Sequence, residues 1–514
     1  MDKKINSKTA QMILSKFTLK NIETFTSQKV PTAIFELPEK VLQFGTGVLL
    51  RGLPDYFIDK ANKQGIFNGR IVVVKSTNGG DATAFEKQDG LYTLCIRGVE
   101  AGNIVAENII CSAISRVLSA KDEWEAILKC AHNPDMQIII SNTTEVGIEL
   151  VKDDIHHHPP ISFPGKLLAF LYERYKAFDG SEQCGMVIVP TELISNNGKK
   201  LESIVLELAH LNGLEENFIE WLEKHNHFCN SLVDRIVPGK PNAIEKKLLE
   251  NELGYKDDLI TMSEAYALWA IEGNEKIANV LSFAVEDSAV VITENINLFK
   301  ELKLRLLNGT HSLSCAVAFL SGITSVKEGM ENEVVAGFIK ELMINEIAKA
   351  IPYDIPDADT IIFSEKVMDR FRNLSIEHHW INISLNFTAK LEMRIVQVLL
   401  RYYELYKTVP ENIAMGFAAY IIFMKALKNV DGIYYGYAND KDYPINDLNA
   451  AYFCEQWKNF TPKDVVKNIL SNVEFWNTDL TRLEGFSNKV TENVENILQY
   501  GMLELLQNEN VKTV

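Results

Sequence analysis

The sequence predicts an α/β chain: a doubly wound parallel sheet within residues 1–293, entered through a helical lead-in, then a mostly α-helical domain over residues 294–514. Three observations predict it. Four short runs in the first half are apolar on both faces: KVLQFGTG from Lys40, RIVVVKST from Arg70, MQIIISNT from Met136 and MVIVPTE from Met186. Strands covered on both faces of a parallel sheet read this way. Helical stretches such as Ala120–Ala131 and Gly165–Tyr175 lie between these runs, and strand–helix alternation is the pattern of a doubly wound domain. From about Asn295 the spacing becomes helical, as in NLFKELKLRLLNGTHSLSCAVAFL, EVVAGFIKELMINEIAKAI and AKLEMRIVQVLLRYYELY.

The composition fits a globular protein with room for two or three domains: 514 residues, 46% hydrophobic and 24% charged. A net charge of −17 argues against a nucleic-acid partner, which needs a basic footprint. It leaves a locally basic pocket for a small acidic substrate possible. The seven cysteines are scattered, without a Cys-x-x-Cys pair, which suits a reducing compartment and neither a disulfide framework nor a thiolate metal site. The first twenty residues hold no apolar core of signal-peptide length. The most apolar stretch, Ala414–Leu427, is short and interrupted by Lys425, so it reads as a buried helix and not a membrane span. The expectation is a cytoplasmic protein without a membrane partner. Nothing in the sequence indicates an oligomeric state.

In order along the chain, Pro38 and Glu39 precede the first strand, which runs into VLQFGTGVLLRG. Gly45 and Gly47 match the first two glycines of a dinucleotide fingerprint, where a tight turn brings backbone close to a pyrophosphate at a helix N-terminus. Leu50 occupies the third position. The turn residues Phe44, Gly45, Thr46, Gly47, Val48, Leu49, Leu50 and Arg51 are therefore cofactor-binding candidates. The alternative is a glycine turn without a ligand, and Arg51 either meets a phosphate or is a solvated first-turn residue. The second strand ends at Lys75-Ser76, without the acid that would hold an NAD ribose; Asp81 follows later. Ser76 is a further candidate, and Lys75 suits a 2′-phosphate, so NAD and NADP both remain open. Asn142, Thr143, Thr144 and Glu145 follow the third apolar run, at the sheet edge where dinucleotides bind. Asn142 and Thr144 join the cofactor set, and Thr144 and Glu145 are candidates for contacts near the nicotinamide or the substrate; the alternative is a polar turn capping a helix.

The helical half opens with KLRLLNGTH. At ~100° per residue His311 lies about 80° from Lys303, and Asn308 about 140°, so all three can share one side of a helix. The chemistry suits carbonyl reduction. A desolvated lysine can donate a proton to, or remove one from, the reacting oxygen. Asn308 can hold the developing oxyanion, and His311 can orient a hydroxyl through either ring nitrogen. The alternative is a helix with a solvated Lys303, a capping Asn308 and a satisfied His311.

VLQFGTGVLLRG, ISNTTEVG, VDRIVPG and KLRLLNGTH, in that order, resemble the polyol-specific long-chain dehydrogenase/reductase family, which includes mannitol dehydrogenases. The resemblance runs from about residue 38 to the C-terminal region. It implies a Rossmann-type N-terminal domain, a helical C-terminal domain, a nicotinamide cofactor and no metal. It also implies Lys303 as general acid/base, with Asn308 and His311 on the substrate. QFGTGVLLRG, SNTTEVGI, FPGKL and PTELISNNG are similar to the family's tagaturonate-reducing branch. That likeness implies reversible NADH-dependent reduction of the keto group of D-tagaturonate to D-altronate. Mannitol and fructuronate branches carry Asp-Asn where this chain has Glu192-Leu193. The second oxyanion asparagine is thus missing, and Asn196, Asn197 or another group takes its place. A uronate carboxylate needs a cation, for which Lys199, Arg235, Arg370, Arg372 and Lys390 are candidates. The alternatives are a mannitol 2-dehydrogenase or fructuronate reductase, or a dinucleotide sensor without catalysis. The His156-His157-His158 run reads as a surface loop, since adjacent histidines converge poorly on one metal.

Overall fold

The computed structural model describes residues 12–22, 30–76, 82–143 and 147–512. Packing divides the chain into two compact units, one of Met1–Arg97 with Val105–Ile296, the other of Gly98–Ile104 with Asn297–Val514.

The first unit is organised by strands β1 (Glu39–Phe44), β2 (Arg70–Lys75), β3 (Tyr92–Glu100), β4 (Asn103–Cys111), β5 (Ile114–Ser119), β6 (Ile138–Ser141), β7 (Val187–Pro190) and β8 (His227–Phe228). Six of them form one parallel sheet in the order β5-β2-β1-β6-β7-β8. Counted along the chain this is 3-2-1-4-5-6, the doubly wound dinucleotide-binding order, whose strand order reverses between β1 and β6. Alternate residues face opposite sides. Leu42, Phe44, Val72, Val74, Ile139 and Ile188 pack beneath the helices Phe163–Ala177, Asn197–Leu211 and Glu216–His225. Val41, Ile71, Val73, Ile138, Ile140 and Val189 pack on the other face with Phe57, Ile58 and Ala61 of the helix Pro54–Lys63. Each such side chain contributes about 1.5–3 kcal/mol on burial.

The four apolar runs form β1, β2, β6 and β7. The edge strands β5 and β8 are additions. In Ile114–Ser119 only Ile114 and Leu118 are buried, so it lacks the continuous apolar run of an inner strand, and β8 has only two residues. Smaller three-stranded sheets comprise β3 and β4 with β10 (Thr261–Glu264), and β9 (Ser231–Asp234), β11 (Leu268–Glu272) and β12 (Val290–Thr293).

The second unit is mainly helical, with one small antiparallel sheet of β13 (Lys428–Val430), β14 (Ile433–Ala438) and β15 (Lys441–Ile445). The apolar run Ala414–Leu427 lies largely in the helix Glu411–Phe423, buried from Ile413 to Ile421. It packs against the helices Thr310–Leu320 and Phe486–Tyr500. A Cβ at Gly416 would stand 2.6 Å from Leu313 Cδ2, so glycine permits the close helix approach. Among the described residues, no helix is long and apolar enough to cross a membrane.

Three helices of this unit contain π-helical stretches: Lys303–Gly309, Leu342–Ile347 and Glu392–Val396. The first and third are tied together by Arg305. Its Nη1 donates to the carbonyls of Met393 (2.7 Å) and Arg394 (2.8 Å), and its Nε to Glu301 (3.0 Å). The i→i+5 register leaves carbonyls to be satisfied by such side chains.

Candidate active site

At the strand-order switch point, β1 ends at Phe44 and β6 at Ser141, paired in register. Phe44 is buried against Phe163, ring centroids 5.2 Å apart. Gly45 follows with φ +128°, and a Cβ there would lie 2.9 Å from Leu50 Cδ1 and 3.1 Å from the Asn142 carbonyl oxygen. Only glycine suits both the conformation and the space. A Cβ at the exposed Gly47 meets nothing within 4 Å, which leaves the backbone open to approach just before the helix Val48–Gly52. Thr46, Val48 and Leu49 are half-buried, while Leu50 is in the core.

Arg51 is neither solvated nor aimed at a phosphate. It is 4% exposed, its Nε donates to Thr261 Oγ1 (3.1 Å), and its guanidinium covers the Phe85 and Tyr92 rings. Apolar packing of its long stem has drawn it inward. The Asn142 amide also turns to protein, donating to the Thr191 carbonyl and hydroxyl at 3.1 Å each. At the end of β2, the Ser76 Oγ is buried without a protein hydrogen-bond partner. That orphaned hydroxyl, the open face at Gly47 and the strand order all fit a dinucleotide. Thr144 and Glu145, like Thr77 and Asp81, lie outside the described residues.

At the end of β7, Glu192 is buried and accepts from Thr143 N (2.8 Å), Thr143 Oγ1 (3.2 Å) and Ser141 Oγ (3.2 Å). Burial holds its carboxyl above the usual range. Leu193 is 65% exposed. Asn197 is unsuited to replace the missing oxyanion donor. Its Nδ2 serves the carbonyls of Pro190, Glu192 and Ser231, and its Oδ1 accepts from Gly198 N and Ser231 N. Asn196 is exposed in the left-handed region, φ +53°.

In the second unit, the Lys303–Gly309 stretch changes the helical arithmetic. Positions five apart are joined by the backbone hydrogen bond of a π-turn, so Lys303 and Asn308 come nearer to one face than the separation of about 140° on an α-helix. Lys303, Asn308 and His311 are all half-buried. His311 begins the regular α-turns of Thr310–Leu320. Its ring stacks on Phe371, with centroids 4.1 Å apart and planes 13° from parallel. His378 meets it edge-on at 5.1 Å and Trp380 at 6.1 Å. Its Nε2 is buried without a protein partner. Burial first, then the charges of His378, Arg370, Arg394 and Lys390, hold the imidazole well below its ordinary pKa. His311 is therefore neutral at pH 7 and offers one donor and one acceptor.

Of the proposed carboxylate partners, Arg235 is spent on the carbonyls of Gly52 (2.7 Å) and Glu264 (3.0 and 2.9 Å). The exposed Arg372 pairs with Asp369 at 3.4 Å, and Lys199 is exposed on the first unit near Glu202 and Glu223. Arg370 and Lys390 lie near His311. Arg394, which sequence reasoning passed over, lies there too. Its place four residues after Lys390 on a helical run was the available signal. Among the described residues, no group of three or more potential ligands could hold a metal ion.

Residues 39–284 match the mannitol dehydrogenase Rossmann domain, and residues 295–498 match the mannitol dehydrogenase C-terminal domain. The chain is 36% identical over 476 residues to an altronate oxidoreductase of Bacillus subtilis, spanning 92% of this chain and 95% of that one. A protein of the same name from Cronobacter sakazakii is 35% identical over 490 residues, 94% and 98% of the two chains. Among solved structures, a D-sorbitol dehydrogenase matches with a TM-score of 0.76 at 21% identity, over 96% of this chain and 100% of that one. Mannitol 2-dehydrogenase of Pseudomonas fluorescens, solved with NAD and D-mannitol, matches with a TM-score of 0.65 at 20% identity, over 98% and 100%. The strand order, the two domain matches and the full-length relatives have one conclusion: this chain belongs to the mannitol dehydrogenase family of oxidoreductases.

Proposed function

We propose that the chain reduces the keto group of D-tagaturonate to D-altronate, reversibly and with NAD(H). The observation that supports this reading is the π-helical stretch Lys303–Gly309, which brings Lys303 and Asn308 toward one face just before the half-buried His311, whose imidazole is held well below its ordinary pKa. The names of the full-length relatives support the substrate class.

Hydride addition to the keto carbon leaves an alkoxide that must gain a proton. Lys303 donates it, and takes it back in the oxidative direction. Asn308 donates a hydrogen bond to the same oxygen as charge develops. His311 remains neutral and uses Nε2 to orient a neighbouring hydroxyl. The glycine turn from Gly45 to Val48 and the Ser76 hydroxyl hold the dinucleotide, which supplies or accepts the hydride when bound. Half-buried Lys75 makes the choice between NAD and NADP part of the test.

NADH and NADPH oxidation should be followed with D-tagaturonate, D-fructuronate and D-fructose, for wild type and Lys303→Ala. Turnover of tagaturonate with NADH, reduced about 10²- to 10⁴-fold by the substitution, is expected from loss of a general acid. Undiminished turnover in Lys303→Ala removes the mechanism. Turnover of fructose but not tagaturonate moves the chain to a polyol substrate, and inactivity on all three favours a dinucleotide sensor.

A further inference from the structure

Lys390 and Arg394 project from consecutive turns of one helical run, Phe387–Leu391 continuing into Glu392–Val396. Both are half-buried. Among the described residues, Lys390 Nζ donates to the Ile383 carbonyl (2.8 Å). Arg394 Nη1 donates to the Asn308 carbonyl (3.3 Å) and Ser312 Oγ (2.9 Å). Neither cation pairs with an acid among the described residues. Arg394 Nε is buried with no partner. Like charges one turn apart repel, and an unpaired half-buried cation is costly. Burial lowers the Arg394 pKa to about 10, and burial with the neighbouring Arg394 lowers that of Lys390. Two cations retained at such cost, one touching the backbone of Asn308, indicate an anion seated beside the catalytic face.

We propose that Arg394 and Lys390 form the subsite for the substrate's carboxylate, Arg394 presenting its Nε edge and Lys390 completing the pair. This rests on the uronate reading above. A guanidinium edge matches the two oxygens of a carboxylate, while hydroxyls alone would leave both charges unneutralised. The pair thereby selects a sugar acid over the corresponding uncharged sugar. It also fixes the distance along the chain from the carboxylate to the carbon opposite Lys303.

The test compares the full-length enzyme with Arg394→Met, Arg394→Lys and Lys390→Met, on D-tagaturonate and on the uncharged ketose D-tagatose. Both methionine variants should raise KM for tagaturonate about 10- to 100-fold more than they raise KM for D-tagatose, with KM for NADH unchanged. Arg394→Lys should recover part of the loss. Binding of D-altronate and of D-altritol to the enzyme–NADH complex, in which no hydride can pass, is measured by calorimetry and supplies a readout independent of turnover. In the methionine variants D-altronate affinity should fall by that factor relative to D-altritol affinity. Equal losses on charged and uncharged ligands, or a loss confined to the cofactor, overturn the subsite. If wild type fails to turn over tagaturonate, the functional reading falls, and the calorimetric comparison then decides the subsite separately. Because Arg394 also braces Asn308 and Ser312, Lys390→Met decides the matter should Arg394→Met not fold.

Discussion

The imidazole of His311 lies flat on the ring of Phe371, 4.1 Å between centroids. The stack fixes the ring plane, so Nε2 has a defined direction although it has no protein hydrogen-bond partner. An aromatic pair contributes about 0.5–1.5 kcal/mol beyond its buried area. Phe371→Leu should therefore lower kcat for the sugar acid roughly 2- to 10-fold, with KM for NADH unchanged and Phe371→Tyr close to wild type. Unchanged kcat in Phe371→Leu would show that the stack does not position the imidazole.

Gly45→Ala should damage the cofactor turn. The new methyl meets the Leu50 side chain and the Asn142 carbonyl, and φ +128° is unfavourable for any L side chain. NADH affinity, read by fluorescence titration, should fall at least about tenfold, and thermal stability should fall by about 1–3 kcal/mol. Gly47→Ala should be milder in stability, because its Cβ has open space. Wild-type affinity in Gly45→Ala would remove the turn from the cofactor site.

Glu346 should make stability depend on pH. Its carboxyl is buried and accepts from the Asn412 backbone and amide (2.8 Å each) and from Ile413 N (2.7 Å). Burial outweighs these bonds and raises the pKa from 4.5 to about 7. Between these values the folded protein binds the proton more tightly than the unfolded chain. The contribution is therefore fully present below pH 4.5 and is lost as pH rises through about 7. The loss amounts to about 3 kcal/mol. Glu346→Gln should be less stable than wild type at pH 5, with the gap narrowing by pH 8. A gap that widens with pH over that range would reverse the assignment.

Asn197→Ala tests a structural reading. Removing its amide strands the N–H of Gly198 and Ser231 and takes a donor from the carbonyls of Pro190, Glu192 and Ser231. Unsatisfied buried groups cost about 1–3 kcal/mol each, so chemical denaturation should show a clear loss of stability. The surviving folded fraction should retain its kcat for the sugar acid. A normal stability with a large fall in kcat would instead return Asn197 to the oxyanion site.

Much of the fold was legible in local pattern. Runs apolar on both faces marked β1, β2, β6 and β7 because a strand covered by helices has no polar side to display. The edge strands β5 and β8 escaped because one buries only Ile114 and Leu118 and the other is two residues long. Spacing also assembled Lys303, Asn308 and His311, but on an assumed α-helix. The π-helical stretch that draws the first two toward one face packs against Glu392–Val396, with Arg305 bridging to Met393 and Arg394.

By itself the sequence determined the alternation of strand and helix, the glycine turn at the end of β1 and the identity of the polar residues in KLRLLNGTH. These are properties of a residue and its near neighbours. Only the tertiary structure decided which polar groups are already spent. Arg51, Arg235, Asn142 and Asn197 are taken up by protein partners, whereas Arg394 keeps a buried nitrogen without one. Hydrogen bonds and burial depend on residues distant in the chain, and sequence spacing does not encode them.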